Sequence, residues 1–157
     1  MPSTSPAVGS PAPDFTIPDE NGSPVHLGDF RGKSRVVIYF YPKADTPGCT
    51  KEACGFRDGL AAYQGLGVPV FGISPDPVAD VKAFHDKFHL NFPLLADADH
   101  KVCESYGVWA QRPIYGWGAA RSTFIVGRDG KVEKVFEKVT AEGHDREVLE
   151  WLKSHPE

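Results

Sequence analysis

The stretch Arg35-Val36-Val37-Ile38-Tyr39-Phe40-Tyr41-Pro42-Lys43-Ala44-Asp45-Thr46-Pro47-Gly48-Cys49-Thr50-Lys51-Glu52-Ala53-Cys54 joins two local patterns. Its first part is β-branched and aromatic with little alternation, as expected of a central strand covered on both faces. Pro42 ends that strand, since its ring fixes φ and it has no N–H to give to a ladder. After a short loop a helix is predicted from about Cys49 to Leu66, where Ala53, Phe56, Leu60 and Tyr63 recur at helical spacing. Cys49 therefore falls in a first helical turn. The unpaired N–H groups and positive dipole end found there stabilise a thiolate, the nucleophilic form of cysteine.

Cys54 adds a geometric constraint. Five residues along a helix correspond to about 140° of rotation and roughly 7.5 Å of rise, so the two sulfurs point apart. Cα atoms more than about 7 Å apart with diverging side chains cannot be bridged without backbone movement, so a Cys49–Cys54 disulfide requires local unwinding. Free cysteine is also commonly a small buried hydrophobe. Against that reading of Cys49, Pro47-Gly48 before it and Thr50-Lys51-Glu52 after it make a poor core environment.

Around this junction the chain alternates strands and helices. Asp14 to Ile17 and Val25 to Leu27 flank the turn signal Asp19-Glu20-Asn21-Gly22 and predict a small opening hairpin. Val68 to Ser74 reads as a second buried strand. Pro75-Asp76-Pro77 opens a helix with the apolar stripe Val78, Val81, Phe84 and Phe88, expected to end near Asn91. Leu94-Leu95 is a short apolar piece, Asp99 to Tyr106 a short helix stopped by Gly107, and Ser122 to Val126 a strand. Gly127-Arg128-Asp129-Gly130 turns into Lys131 to Phe136, and a last helix runs from about His144 to Ser154 with Val148, Leu149 and Leu152 on its inner face. The order from Arg35 is β-α-β-α, an irregular crossover, then β-β-α. That order predicts a single-domain α/β fold of thioredoxin-like topology, a central mixed sheet flanked by helices with an N-terminal extension. Residues 1–12 are expected to be a loose tail and 13–157 the domain.

Composition narrows the function. A chain of 157 residues, 41% hydrophobic and 24% charged, can bury a proper core without disulfide staples. Three cysteines do not make a secreted framework, which points to catalytic, regulatory or buried thiols and a reducing compartment. A net charge of −4 without a Lys/Arg-rich run offers no footprint for nucleic acid or an anionic membrane. The Ser/Pro/Ala-rich start lacks the features of a signal or transit peptide, and no apolar run approaches the ~20 residues of a spanning helix. A cytoplasmic protein is expected.

Pro42, Thr46 and Cys49 match the Pro-x-x-x-Thr-x-x-Cys signature of peroxiredoxins, and Tyr41-Pro42-Lys43 with Thr46-Pro47-Gly48-Cys49-Thr50-Lys51-Glu52-Ala53-Cys54 resembles the Q-type, or bacterioferritin comigratory protein, subfamily. The likeness extends over Ala12-Pro13-Asp14-Phe15, Phe71-Gly72-Ile73-Ser74, Tyr106-Gly107-Val108 and Arg121-Ser122-Thr123-Phe124-Ile125. The resemblance implies a thioredoxin-dependent peroxidase of hydrogen peroxide and organic hydroperoxides, serving antioxidant defence, with no cofactor and a monomeric state. It implies that Cys49 attacks the peroxide and becomes a sulfenic acid, and that Cys54 resolves this to an intramolecular disulfide. Thr46 would position the peroxide, Pro42 would shield the sulfur from water, and Arg121 would hold negative charge at the sulfur and the peroxide oxygens. Read singly, these residues have plainer roles: Thr46 a helix cap, Pro42 a strand end, Arg121 a solvated edge residue.

Other features weigh less. Cys103 reads as a buried inert thiol, with service as an alternative resolving cysteine left open. His85-Asp86-Lys87-Phe88-His89 places two histidines at i and i+4 as zinc-binding helices do, but no clear third ligand follows and no metal is expected. A general disulfide oxidoreductase would carry Cys-x-x-Cys, which is absent from the sequence. A redox-sensing or chaperone-like protein switched by the Cys49–Cys54 disulfide is the alternative from another class. Ala44 stands where the family commonly has an acidic residue. The stretch from Gln111 to Ala120, with Trp109, Tyr115 and Trp117 in and beside it, is an unusual aromatic loop expected to border the pocket.

Overall fold

The computed structural model describes residues 5–112, 116–137 and 139–157. β1 (Thr16–Pro18) and β2 (Pro24–His26) form the opening hairpin, followed by a 3-10 turn at Leu27–Phe30. Then come β3 (Val36–Phe40), α1 (Pro47–Gly65), β4 (Val70–Ser74), α2 (Val78–Lys87), β5 (Leu94–Ala96) and α3 (Lys101–Ser105). The chain finishes with β6 (Trp109–Arg112), β7 (Gly116–Ala119), β8 (Ser122–Val126), β9 (Val132–Phe136) and α4 (His144–Ser154). The central sheet has the strand order β5-β4-β3-β8-β9, with β3, β4 and β5 parallel and β8 and β9 antiparallel to their neighbours. This is the mixed sheet that the strand-helix alternation predicts. No helix among the described residues is long and apolar enough to cross a membrane.

All five residues of β3 are buried, which explains the missing polar alternation: alternate side chains enter two different cores. Val37 and Tyr39, with Tyr41 beyond the strand, pack among Phe56, Leu60 and Tyr63 of α1, Val81 and Phe84 of α2, and Val148 and Leu152 of α4. Val36, Ile38 and Phe40 face the opposite way, into a core with Phe15, Leu27, Val102, Cys103, Tyr106 and Phe124. Tyr39 stacks on Phe56 with ring centroids 4.7 Å apart.

Three details differ from the sequence reading. Part of the expected loose tail is held against β9, since Gly9 N–H donates to the Val132 carbonyl, Val132 N–H to Ser10 and Ala12 N–H to Gly130, and Ala12 is buried. These residues complete the edge of the sheet, using backbone groups that a composition of Ser, Pro and Ala does not advertise. The helix α2 ends at Lys87 rather than near Asn91, because His89 turns into the left-handed region (φ 52°) and Leu90 N–H bonds back to His85. The described part of the aromatic stretch is largely strand rather than loop. It contains the antiparallel hairpin of β6 and β7, in which Trp109 pairs with Ala119 and Gln111 with Trp117. Gly116, Gly118 and Ala119 have little intrinsic strand preference, so local pairing carries that hairpin. Tyr115 lies outside the described residues.

Close packing under β3 depends on Gly72 of β4. A Cβ there would lie 2.8 Å from the Tyr39 ring and 2.9 Å from Leu94 Cδ2, both inside the buried core. Gly72→Ala should therefore destabilise the fold by about 1–3 kcal/mol, the usual cost of overpacking. A urea melt with an unchanged midpoint would contradict this.

Candidate active site

The β3–β8 register builds the site. Phe40 pairs with Ser122, so Arg121, the residue before Ser122, stands level with the chain as it leaves β3. The loop from Pro42 then enters α1. Ala44 N–H donates to the buried Asp76 carboxylate at 2.8 Å, and Asp45 adopts φ 61° with its carboxylate paired to Lys87 at 2.9 Å. Thr46 is the N-cap of α1, yet its hydroxyl does not cap. It donates instead to the Lys43 carbonyl at 2.9 Å, while the Thr46 carbonyl accepts from Thr50 N–H. Pro47 occupies the first helical position, where its missing N–H costs nothing. α1 thus starts two residues before the predicted Cys49, which still lies in the first turn.

Cys49 is buried, 1% exposed, with a single polar contact to its sulfur among the described residues: Arg121 Nη2 donates to Sγ at 3.3 Å. The other guanidinium arm, Nη1, donates to Glu52 Oε1 at 2.6 Å. Gly48 makes room for this arrangement, since a Cβ there would meet Arg121 Nη2 at 3.0 Å. Arg121, Cys49 and Glu52 form one cluster, with Pro42, Thr46, Gly48, Trp117 and Arg121 lining the cleft beside it. Of the residues singled out in the sequence, Pro42, Thr46, Cys49 and Arg121 are thus brought together. Cys54 is not. It lies further along the unbroken α1, half-buried, and all three cysteines are free thiols.

Glu52 is a member of the cluster that the sequence does not single out. It is 1% exposed, and burial pushes its carboxyl up to about 7 against the opposing attraction of Arg121. Burial works against the Arg121 charge as well, but the Glu52 carboxylate and the Cys49 sulfur outweigh it, so the guanidinium holds its proton more firmly than usual. The available signal was position: a glutamate three residues after Cys49 shares its helix face.

Cys103 sits in the other core, on the far side of the sheet from Cys49. Burial pushes its thiol far up, and the Asp97 carboxylate adds to the effect. Asp97 itself accepts from the N–H groups of Val102 and Cys103 at 3.2 and 2.8 Å, closing the start of α3. His85 and His89 do not stand one turn apart on a helix face, because His89 lies beyond the end of α2.

The sequence profile of the AhpC/TSA family matches residues 8–135. Peroxiredoxin Bcp of Escherichia coli K12 is 47% identical over 151 residues, covering 94% of this chain and 96% of its own. Peroxidoxin BcpB of Mycobacterium tuberculosis superposes with a TM-score of 0.89 at 33% identity, over 97% of this chain and 99% of its own. The Xanthomonas campestris bacterioferritin comigratory protein, studied for alkyl peroxide reduction, gives 0.87 at 33% identity, over 95% of this chain and 99% of its own.

Glu52 gives the site a pH signature. Its carboxyl is raised in the folded chain from 4.5 to about 7, so the fold holds that proton more tightly than the unfolded chain. Its contribution is most favourable below pH 4.5 and is lost as pH rises through about 7. Glu52→Gln removes this loss, so the stability of the variant relative to the parent should rise between pH 4.5 and 8 by up to about 3 kcal/mol. Urea melts at the two pH values measure it, and a pH-independent difference would contradict the assignment.

Proposed function

The chain belongs to the AhpC/TSA family and is a peroxiredoxin, a thiol-dependent peroxidase with a thioredoxin-like fold, and on that footing we propose that Cys49 is its peroxide-reducing residue. The observation that carries this reading is the Arg121 guanidinium 3.3 Å from a buried sulfur and anchored on Glu52. A fixed cation there stabilises negative charge on Sγ and on the oxygen that leaves. The sulfur attacks the terminal peroxide oxygen, the O–O bond breaks and an S–O bond forms. Two electrons pass from sulfur to the peroxide, and the leaving oxygen takes a proton from water to depart as water or an alcohol. Cys49 is left as a sulfenic acid.

Thr46 positions the substrate. Its one hydroxyl proton is committed to the Lys43 carbonyl, so toward a peroxide it can only accept, which fixes the direction of the peroxide O–H. Pro42, half-buried on the cleft wall, limits access of water to the sulfur.

Cys54 resolves the sulfenic acid, its sulfur forming the disulfide as hydroxide leaves and takes up the thiol proton to become water. The helix must open for this, and its contacts support a division near Gly55. Gly55 and Gly59 present bare backbone to the Asp145 carboxylate, where a Cβ on Gly55 would lie 2.7 Å from Oδ1, and the Tyr63 hydroxyl donates to the Asp145 carbonyl. The later turns are thus clasped to α4. The earlier turns are tied to Arg121 through the Cys49 sulfur and Glu52, and reaction at the sulfur alters the first of these contacts. A glycine in a helix interior costs roughly 0.5–1 kcal/mol relative to alanine, which favours opening at that boundary.

A thiol reductant closes the cycle, and a thioredoxin acting by disulfide exchange on a monomeric enzyme in the cytoplasm completes the proposal. Cys49→Ser should abolish peroxide consumption. Cys54→Ser should consume about one equivalent per chain and then stop with thioredoxin as donor, the stoichiometry of a single unresolved sulfenic acid. Mass mapping after one equivalent of peroxide should find Cys49 joined to Cys54. A Cys49–Cys103 bond, or parental turnover by the Cys54 variant, would refute the assignment.

A further inference from the structure

Trp117 is 62% exposed, and it is the one aromatic among the large exposed hydrophobic side chains of the described residues. It lines the same cleft as Thr46 and Arg121. An exposed indole would ordinarily be mobile, but this one is backed. The β6–β7 register makes Trp109 and Trp117 diagonal neighbours on one face of the hairpin, and their rings lie stacked at 6.2 Å with 20° between planes. Trp109 in turn stacks on His100 at 4.0 Å and 5°, and packs against the core below the sheet. The three rings form a column whose middle member, Trp109, packs against the core and whose end is an exposed indole at the rim of the site.

From this column we infer that Trp117 is a binding surface for the aromatic ring of a hydroperoxide substrate, an inference that rests on Cys49 being the peroxide-reducing residue. The column is ordered before substrate arrives, so stacking a planar ring on it costs little conformational entropy. Offset aromatic stacking adds attraction beyond area burial, and a saturated ring of the same size cannot gain it. The polar end of the cleft, Thr46 and Arg121, receives the hydroperoxide group while the ring lies toward Trp117. The ring takes no part in the chemistry, in which the O–O bond breaks, the sulfur gives two electrons and the alkoxide takes a proton from water.

The test uses tertiary hydroperoxides that share the dimethyl carbinyl head: cumene hydroperoxide, its ring-saturated analogue 2-cyclohexylpropan-2-yl hydroperoxide, and tert-butyl hydroperoxide. With dithiothreitol as reductant, kcat/KM is measured for the parent, Trp117→Ala and Trp117→Phe. The parent should prefer cumene hydroperoxide over its saturated analogue by roughly three- to tenfold, the range that an aromatic pair contributes. Trp117→Ala should lose that preference and Trp117→Phe should keep most of it. Equal cumene-to-cyclohexyl ratios in parent and Trp117→Ala overturn the inference while leaving Cys49 in its role. Failure of the parent to reduce any of them overturns the reading of Cys49 itself.

Discussion

The pairing of β3 with β8 is the constraint on which the rest of the molecule hangs. β3 supplies side chains to both cores, so a one-residue slip against β8 would exchange the two sets and strand Tyr39 and Tyr41 in the wrong layer. The same register decides where Arg121 stands. With Phe40 opposite Ser122, the guanidinium reaches the first turn of α1, and packing of the core thereby sets a distance of 3.3 Å at the sulfur. The geometry of the cluster is a by-product of burying hydrophobic strands, which is why a loop-to-helix junction can be placed so closely.

Arg121 is asked to serve two acceptors. Truncating one member of a buried ion pair commonly costs about 3–5 kcal/mol, because the remaining charge stays buried and unpaired. Among the described residues Glu52 Oε2 has no hydrogen-bond partner and the carboxylate is met by Arg121 alone, and burial holds its proton affinity high. Near neutral pH the pair therefore sits between an ion pair and a neutral acid beside a cation. In the second state more of the guanidinium field is left for the sulfur.

Much of this was legible in the sequence, for physical reasons. The unalternating run Val36 to Phe40 has one stable home, between two layers, and it anchors the mixed sheet. Pro42, Thr46 and Cys49 lie close along the chain, so local structure gathers them. Arg121 lies far away and was reachable only through its resemblance to a known segment. Glu52 escaped because a lone glutamate on a helix usually meets solvent, and its partner Arg121 comes from a distant part of the chain, just before β8. The β6–β7 hairpin escaped because glycine and alanine carry no strand signal, and the hold on Gly9 and Ala12 because it is made by backbone atoms.

α1 joins two different supports in one continuous helix. From Gly55 to Tyr63 it is clasped to α4 through Asp145, a contact independent of the redox state of any cysteine. From Pro47 to Cys54 it is tied to Arg121 through the Cys49 sulfur and the Glu52 carboxylate. Reaction at the sulfur, on the proposed cycle, alters one of those two ties and leaves the contact with α4 as it was. On the proposed cycle the five-residue spacing of Cys49 and Cys54, unworkable for a disulfide in a rigid helix, makes resolution wait on peroxide. The intact helix keeps the two sulfurs apart, and they gain the freedom to meet once its first turns open after Cys49 has reacted.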